Sequence, residues 1–177
     1  LGARGNRTQP SALHPPCTWC RTAGSIHLMF ARVMWFNKPM THVQHPLSGA
    51  WNLRGTSPDG LDRLELSASV PGHVHGDLIR HALLPDPFWR DNAERCQWVE
   101  TWKWQYARAF KWDGARDQSW AELVFEGLDT YAEVRLNGDV IGQCANMHIP
   151  HRFDVSGRLR DGYNHVQVSF TPVAEAT

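Results

Sequence analysis

Apolar and polar residues alternate along much of the chain after residue 50. Residues 64–70 place four apolar side chains on one face and three polar ones on the other, and residues 102–110 alternate in the same way around aromatic side chains. A period of two residues is typical of a β-strand that is buried on one side. Shorter runs predict further strands over residues 47–54, 120–125 and 165–170.

A β-hairpin is predicted around Asn137-Gly138, which lies between two alternating runs within residues 124–142. Both central residues of such a turn adopt positive φ angles, which Asn and Gly tolerate well. The chain therefore contains seven or more short strands, with turn residues about every ten positions. This pattern predicts an all-β fold, an antiparallel two-sheet sandwich, and leaves an immunoglobulin-type topology and a jelly roll equally open.

The period changes after residue 73, where Val74 and Leu78 share one side and Asp77 stands in the first turn. These features predict one short helix, which ends at Pro85-Asp-Pro87. Residues 88–101 follow as a predicted loop that is rich in polar and aromatic side chains. Such a loop either contacts a ligand or plugs the end of the sandwich, and the sequence does not decide between the two.

Residues 1–39 show no persistent period and are predicted to be a disordered or non-domain extension, so that residues 40–177 form the sandwich domain. The extension contains Cys17-Thr-Trp-Cys20, but a tetrahedral zinc site needs a second pair of ligands at suitable spacing, and none is found. We therefore predict no metal and no cofactor. The four cysteines fit no disulfide scaffold, which favours a reduced, cytoplasmic protein.

The composition limits the possible partners. Eighteen basic residues balance eighteen acidic ones, so electrostatics give no reason to expect binding to nucleic acid or to an anionic membrane. No apolar run approaches the ~20 residues that span a bilayer. Nine tryptophans are present, and six of them lie between residues 89 and 120. Indole rings fill cores more often than they stack on flat ligands such as sugars.

Signatures of catalysis are missing from the sequence. It contains none of the common serine-hydrolase, zinc-protease or nucleotide-binding motifs. His73-Val-His75 lacks an identifiable third ligand for a metal. Hydrolysis of glycosides needs two carboxylates about 5–10 Å apart, and Asp91 with Glu94 or Glu100 is only one of many acidic pairs. The residues alone therefore indicate a binding or scaffold domain rather than a complete enzyme.

An ordered set of segments between residues 47 and 172 resembles the amino-terminal domain of family 2 glycoside hydrolases, in the β-mannosidase branch. The segments are Leu47-Ser-Gly-Ala-Trp51, Val70-Pro-Gly-His-Val-His-Gly-Asp-Leu78, Leu84-Pro-Asp-Pro-Phe88, Arg90-Asp-Asn92, Gln97-Trp-Val-Glu100, Trp104-Gln-Tyr-Ala-Arg108, Phe125-Glu-Gly-Leu-Asp-Thr-Tyr-Ala132, Leu136-Asn-Gly138, Asn146-Met-His148 and Phe153-Asp-Val155. Each piece alone is weak, but the ordered set is specific.

The resemblance implies a jelly-roll sandwich of the galactose-binding type, which belongs to a longer multidomain enzyme. In that family a (β/α)₈ barrel carries both catalytic glutamates, and the enzyme removes terminal β-linked mannose with retention of configuration. The resemblance therefore implies that this domain has no catalytic residues of its own. It places Asp91, Asn92, Trp98 and Glu100 near the mouth of the barrel, where they shape the sugar subsite or pack between domains.

Two other interpretations remain open at the level of the sequence. One is a free-standing carbohydrate-binding module whose tryptophans stack on sugar. The other is an inactive truncated product whose barrel-facing surface is exposed. The presence or absence of a barrel with two glutamates beyond residue 177 distinguishes them from the first interpretation.

Overall fold

Two antiparallel sheets packed face to face form the domain. The computed structural model describes residues 26–37, 41–113 and 120–176. Within these residues, the larger sheet has six strands in the order β10-β9-β12-β7-β4-β5, and the smaller has four in the order β11-β8-β2-β3. A two-stranded ribbon of β1 and β6 completes the β-structure. The predicted all-β, two-sheet antiparallel sandwich is confirmed.

The elements follow one another along the chain with short connections. The strands and helices are β1 (His27–Leu28), β2 (Ala31–Asn37), β3 (Thr41–Pro46), β4 (Gly49–Thr56), β5 (Arg63–Val70), β6 (Gly72–His73), α1 (Val74–Arg80), α2 (Asn92–Cys96), a 3₁₀ helix (Gln97–Thr101), β7 (Lys103–Trp112), β8 (Ala121–Phe125), β9 (Ala132–Leu136), β10 (Asp139–Cys144), β11 (His151–Asp154), β12 (Gly162–Phe170) and α3 (Val173–Ala176). None of the described helices has the length and apolar character needed to cross a membrane.

The core lies between the two sheets and contains mainly aromatic and branched aliphatic side chains. Trp104, Tyr106 and Trp112 of β7 are fully buried, as is Phe125 of β8. They come from the apolar faces that the alternation predicts. Arg108 shares this face of β7, and its guanidinium donates hydrogen bonds to the carbonyls of Leu47 at 2.9 Å and Ser48 at 2.7 Å. An inward-facing cation is tolerated there because backbone oxygens satisfy its donors.

The hairpin predicted at Asn137-Gly138 joins β9 to β10. The φ angles of the two residues are +54° and +97°, as the turn requires. The Asn137 side chain also ties the turn to β12, because its Nδ2 donates to Asn164 Oδ1 at 2.8 Å and its Oδ1 accepts from the His165 amide at 2.9 Å. The hairpin is thus a fixed corner of the larger sheet.

The predicted helix is α1, which packs on the core beside β5. Val74 and Leu78 are fully buried, and Asp77 is only 1% exposed. The ring of His73 accepts a hydrogen bond from the Gly76 amide at 3.1 Å, which caps the first turn. His73 therefore has a structural role at the start of α1.

The start of the domain differs from the predicted boundary between residues 39 and 40. Strand β2 lies between β3 and β8, and Ala31 and Val33 are buried in the core. Arg32, which interrupts this apolar run, forms an ion pair with Glu126. Val33 and Met34 are neighbours in the chain and are both buried, so this strand lacks the alternation on which the prediction depended. The remainder of the predicted extension, residues 1–25, lies outside the described residues.

The stretch 88–101, predicted as one long loop, contains α2 and the 3₁₀ helix. Each has five residues, which is too short to produce a recognisable helical period. Cys96 and Val99 turn inward and are buried, so this stretch is anchored to the domain.

Candidate functional site

The 85–102 segment, which joins α1 to β7, carries the four residues that the sequence singled out. Its first turn is built on Asp86, whose carboxylate accepts a hydrogen bond from the Phe88 amide at 2.9 Å. The Asp86 carbonyl accepts a hydrogen bond from the side-chain amide of Asn92, also at 2.9 Å. Asp commonly fixes turns by bonding to the backbone two residues further on. The two bonds tie the turn to the start of α2.

Two large aromatic side chains of this turn point away from the core. Phe88 and Trp89 are each 65% exposed, so neither plugs the end of the sandwich. The guanidinium carbon of Arg90 lies 5.9 Å from the centre of the Trp89 ring, within the range of a cation–π contact. An exposed aromatic pair on an anchored turn is typical of a contact surface.

Three indole rings fasten the other end of the segment to β7. The ring centres of Trp98 and Trp102 are 4.8 Å apart, and Trp102 stacks on Trp104 at 5.8 Å. Trp104 donates its indole N–H to the Val99 carbonyl at 2.8 Å. Its ring lies over Gly55 so closely that a Cβ atom there would come within 2.5 Å of it. The position of the 3₁₀ helix therefore depends on a buried ring in the neighbouring strand.

The four predicted site residues have different surroundings. Asp91 is exposed, and its side chain makes no capping hydrogen bond to α2. Glu100 is also exposed, whereas Asn92 and Trp98 are half-buried and make the contacts given above. Both carboxylates are open to solvent, so neither lies in the kind of apolar pocket that holds the general acid of a glycosidase. The structure brings Trp98 into a cluster but does not join the four residues into one catalytic arrangement.

The carboxyl-terminal end of the described chain lies beside this segment. Phe170, the last residue of β12, is paired with Trp104. Glu175 of α3 forms an ion pair with Lys103 at 2.7 Å, and the Thr171 amide donates to the Tyr131 carbonyl at 3.0 Å. We call the end of the sandwich that contains Lys103, Thr171, Glu175 and the 126–131 connection the exit end.

The exit end also displays apolar side chains. The Met29 amide donates to the Gly127 carbonyl at 3.1 Å, and a Cβ atom on Gly127 would lie 2.9 Å from Met29 Sδ and 3.4 Å from the Met147 carbonyl oxygen. Four side chains of this region are between 37% and 52% exposed: Met29, Phe30, Met147 and Ile149. No sequence pattern predicts this cluster, because its members lie in two separate connections, β1–β2 and β10–β11, that only the fold brings together.

Comparison with known proteins assigns the domain. Residues 51–177 match a model of the family described as "Glycosyl hydrolase 2 galactose-binding domain-like". The chain belongs to this family. It resembles Beta-mannosidase from Rattus norvegicus, with 36% identity over 119 residues, and Beta-mannosidase B from Thermothelomyces thermophilus, with 36% identity over 125 residues. These alignments cover 66% and 71% of the chain but only 13% and 14% of the relatives.

A solved structure agrees with this assignment. The crystal structure of β-D-mannosidase from Dictyoglomus thermophilum superimposes with a TM-score of 0.67 and 36% sequence identity. The superposition covers 73% of this chain and 16% of that one. The chain therefore spans about one seventh of the length of these relatives. The predicted family and its galactose-binding-like sandwich are confirmed. Strand β2 belongs to the sandwich although it precedes the matched residues.

Metal-binding and nucleophilic chemistry have little support in this glycosyl hydrolase 2 domain. Within residues 26–37, 41–113 and 120–176, no three His, Cys, Asp or Glu side chains are grouped so that they could hold a metal ion. The pair Cys17 and Cys20 lies outside the described residues. Cys96 and Cys144 are free and buried. Burial raises the pKa of both thiols, that of Cys144 to about 11.

These buried thiols are expected to react slowly in the folded domain. The thiolate is the reactive form, and at pH 8 a thiol with a pKa of about 11 is ionised in roughly one molecule in a thousand. In a Cys17→Ser/Cys20→Ser variant, we expect labelling by Ellman's reagent to be at least about tenfold slower in buffer than in urea. Equal rates in the two solvents would contradict the burial of both thiols.

Proposed function

We propose that this chain is the amino-terminal, non-catalytic domain of a retaining β-mannosidase, an enzyme that hydrolyses terminal non-reducing β-D-mannose. The main support is the 36% identity and the TM-score of 0.67 with a β-D-mannosidase. Curated relatives named Beta-mannosidase, at 34–36% identity, add to it. Since the chain spans about one seventh of such proteins, the catalytic glutamates belong to a (β/α)₈ barrel elsewhere in the polypeptide.

The proposed role of the domain is to pack on that barrel through the exit end and the 85–102 segment. The ion pair between Lys103 and Glu175 supports this arrangement, because the chain leaves the sandwich beside the segment. The exposed apolar side chains of the exit end add further support. Phe88 and Trp89 supply large apolar area on an anchored turn, and buried aromatic side chains commonly dominate the energy of an interface.

Within this arrangement, we assign the sugar-facing role to the polar side of the segment. Asp91 and Glu100 are exposed carboxylates that can accept hydrogen bonds from sugar hydroxyls. Asn92 holds the turn through Asp86, so it positions the segment. Trp98 is half-buried against Trp102, which leaves part of its ring available to a sugar or to the barrel.

Substitutions in the segment are expected to change catalysis by the full-length enzyme. Glu100→Ala and Trp98→Ala should each lower kcat/KM on an aryl β-mannoside about five- to tenfold, since the loss of one contact worth ~1 kcal/mol gives roughly a fivefold change. Steady-state kinetics on 4-nitrophenyl β-D-mannopyranoside measure the effect. Trp98→Phe keeps an aromatic ring and should lose less activity than Trp98→Ala.

The matched control for Glu100→Ala is Asp139→Ala, which removes an exposed carboxylate at the hairpin, on the opposite end of the larger sheet. It should leave kcat/KM unchanged. If the Glu100 and Trp98 variants retain full activity and normal thermal stability, the segment has no role in the subsite. Loss of kcat/KM together with earlier thermal unfolding of the whole enzyme would assign the residues to interdomain packing.

The proposal itself is tested by the coding sequence and by activity. We expect the reading frame to continue beyond residue 177 into a barrel with two glutamates, and the complete protein to release mannose from β-mannosides. The 177-residue chain alone should release none. A stop codon directly after residue 177, combined with binding of mannose to this chain, would favour a free-standing carbohydrate-binding module instead.

A further inference from the structure

The outer face of the six-stranded sheet contains a shallow polar groove. The register of the paired strands aligns two rows of side chains across this face. The first row is Ser67, Asn52, Ala107, Gln167 and Arg135, and the second is Glu65, Arg54, Gln105, Ser169 and Glu133. Strands β4, β5, β7 and β12 enclose a depression of about 410 Å³ at the centre of these rows. We call it the sheet groove.

Small and neutral side chains form the centre of the groove. Ala107 lies between Asn52 and Gln167. Because its side chain is small, the groove is deepest between the two amide side chains. Among the residues that the structure describes, neither amide has a hydrogen-bond partner for its side chain. Gln105 donates to the Ser169 hydroxyl at 3.1 Å at the edge of the same depression. Each amide offers an acceptor and two donors side by side.

The charged side chains around the groove neutralise one another. Arg54 Nε donates to Glu65 Oε1 at 2.7 Å. Arg135 Nε donates to Glu133 Oε1 at 2.8 Å, and Gln143 donates to the other carboxylate oxygen of Glu133 at 3.1 Å. A groove without excess charge gives no electrostatic attraction to phosphates or nucleic acids.

An aromatic ring stands on the same face. Tyr163 precedes Gln167 by four residues on β12 and is 70% exposed. Because side chains alternate along a strand, both point to the outer face, roughly 13 Å apart. The flat apolar face of a tyrosine ring can stack on the C–H face of a pyranose while its hydroxyl stays hydrated. Adjacent amide donors and acceptors match the adjacent hydroxyls of the same class of ligand.

The geometry points to the sheet groove as a binding site for a neutral oligosaccharide, whose chain follows β12 from the Tyr163 ring to the amides beside Ala107. This site is separate from the 85–102 segment, and it does not require the barrel. In an enzyme of the proposed kind, it would retain a polymeric substrate near the active site without taking part in the reaction.

The test uses the 177-residue chain and three uncharged probes: β-1,4-mannotetraose, cellotetraose and maltotetraose. Isothermal titration and ¹⁵N NMR should detect binding of at least one probe, with shifts concentrated at Asn52, Ala107 and Gln167. Asn52→Ala and Gln167→Ala should each weaken binding about fivefold, because each removes one set of neutral hydrogen bonds. Ala107→Leu should weaken it at least about tenfold by filling the floor.

Two further variants separate this site from other sugar contacts. Tyr163→Phe should bind as tightly as the original chain, whereas Tyr163→Ala should bind several-fold more weakly, because it removes the ring that stacks on the ligand. Trp89→Ala, on the exposed turn of the 85–102 segment, should leave binding unchanged. Circular dichroism establishes that every variant is folded before its affinity is compared.

Two outcomes would overturn the inference. One is the absence of heat and of NMR shifts with all three probes up to about 10 mM. The other is binding that survives Ala107→Leu but is lost in Trp89→Ala. That result would place the sugar-binding site at the exposed turn of the 85–102 segment. Neither outcome bears on mannoside hydrolysis by the complete enzyme, so a failure here is distinguishable from a failure of the proposed function.

Discussion

Replacing Asp77 with alanine is expected to lower the free energy of unfolding by about 2–3 kcal/mol, because it removes three hydrogen bonds to a buried carboxylate. The carboxylate is 1% exposed and holds three elements together. Its Oδ1 accepts hydrogen bonds from the Ser69 amide at 3.2 Å and from Arg80 at 2.7 Å, and its Oδ2 accepts one from the Tyr106 hydroxyl at 3.2 Å. Alanine would leave the buried Tyr106 hydroxyl and the partly buried Ser69 amide unpaired.

Urea denaturation of Asp77→Ala measures this effect, and Asp91→Ala is the matched control. Asp91 is exposed without a capping bond, so its removal should cost no more than about 0.5 kcal/mol. Tyr106→Phe, which removes one neutral donor, should cost about 1 kcal/mol. If Asp77→Ala were as stable as Asp91→Ala, the buried network would contribute nothing to stability.

The network also predicts a dependence of stability on pH. Burial, followed by the neighbouring Asp77 carboxylate, raises the pKa of the Tyr106 hydroxyl well above its usual value. In the unfolded chain the hydroxyl ionises near pH ~10. The stabilising contribution is therefore complete below that pH and is lost as pH rises towards the folded-state pKa. Tyr106→Phe should remove this alkaline loss of stability.

Trp104→Ala is expected to cost about 3–5 kcal/mol, the range measured for large aromatic side chains removed from cores. The ring is 1% exposed, lies over Gly55 and donates to the Val99 carbonyl. Its removal opens a cavity and also releases the 3₁₀ helix. Trp89→Ala deletes the same side chain from an exposed turn and should cost no more than about 0.5 kcal/mol.

A double-mutant cycle of Trp104→Ala with Gly55→Ala tests the contact between the Trp104 ring and Gly55. In the original chain the added methyl group meets the ring, and overpacking of this kind costs about 1–3 kcal/mol. In the Trp104→Ala background the same methyl group has space, so Gly55→Ala should be close to neutral there. Additive costs of the two substitutions would show that the ring does not lie over Gly55.

Local patterns predicted the parts of the fold that local chemistry determines. The Asn137-Gly138 turn and strands such as β5 and β7 were readable because each has one buried and one exposed face. The alternation does not reveal strand β2, because its consecutive residues Val33 and Met34 are both buried and give no such contrast. The short helices of the 85–102 segment were missed because five residues are too few for a period.

The candidate sites depended on contacts between residues far apart in sequence. The family resemblance indicates Trp98 and Glu100 as site residues, but the position of their segment is set by Trp104 and Gly55. The sheet groove could not be predicted at all from the sequence. Its amides come from residues 52 and 167, and only the pairing of both strands with β7 places them beside Ala107.

The central position of β2 has a consequence for shortened versions of the domain. A chain begun at Met40 would lack the strand that pairs with both β3 and β8. Strand β3 would lose its partner, and the apolar strand β8 would become a free edge with unpaired backbone groups. Free edges of this kind recruit strands from other molecules and lead to aggregation. Strand β2 therefore covers the edge of β8 and protects the sandwich from self-association.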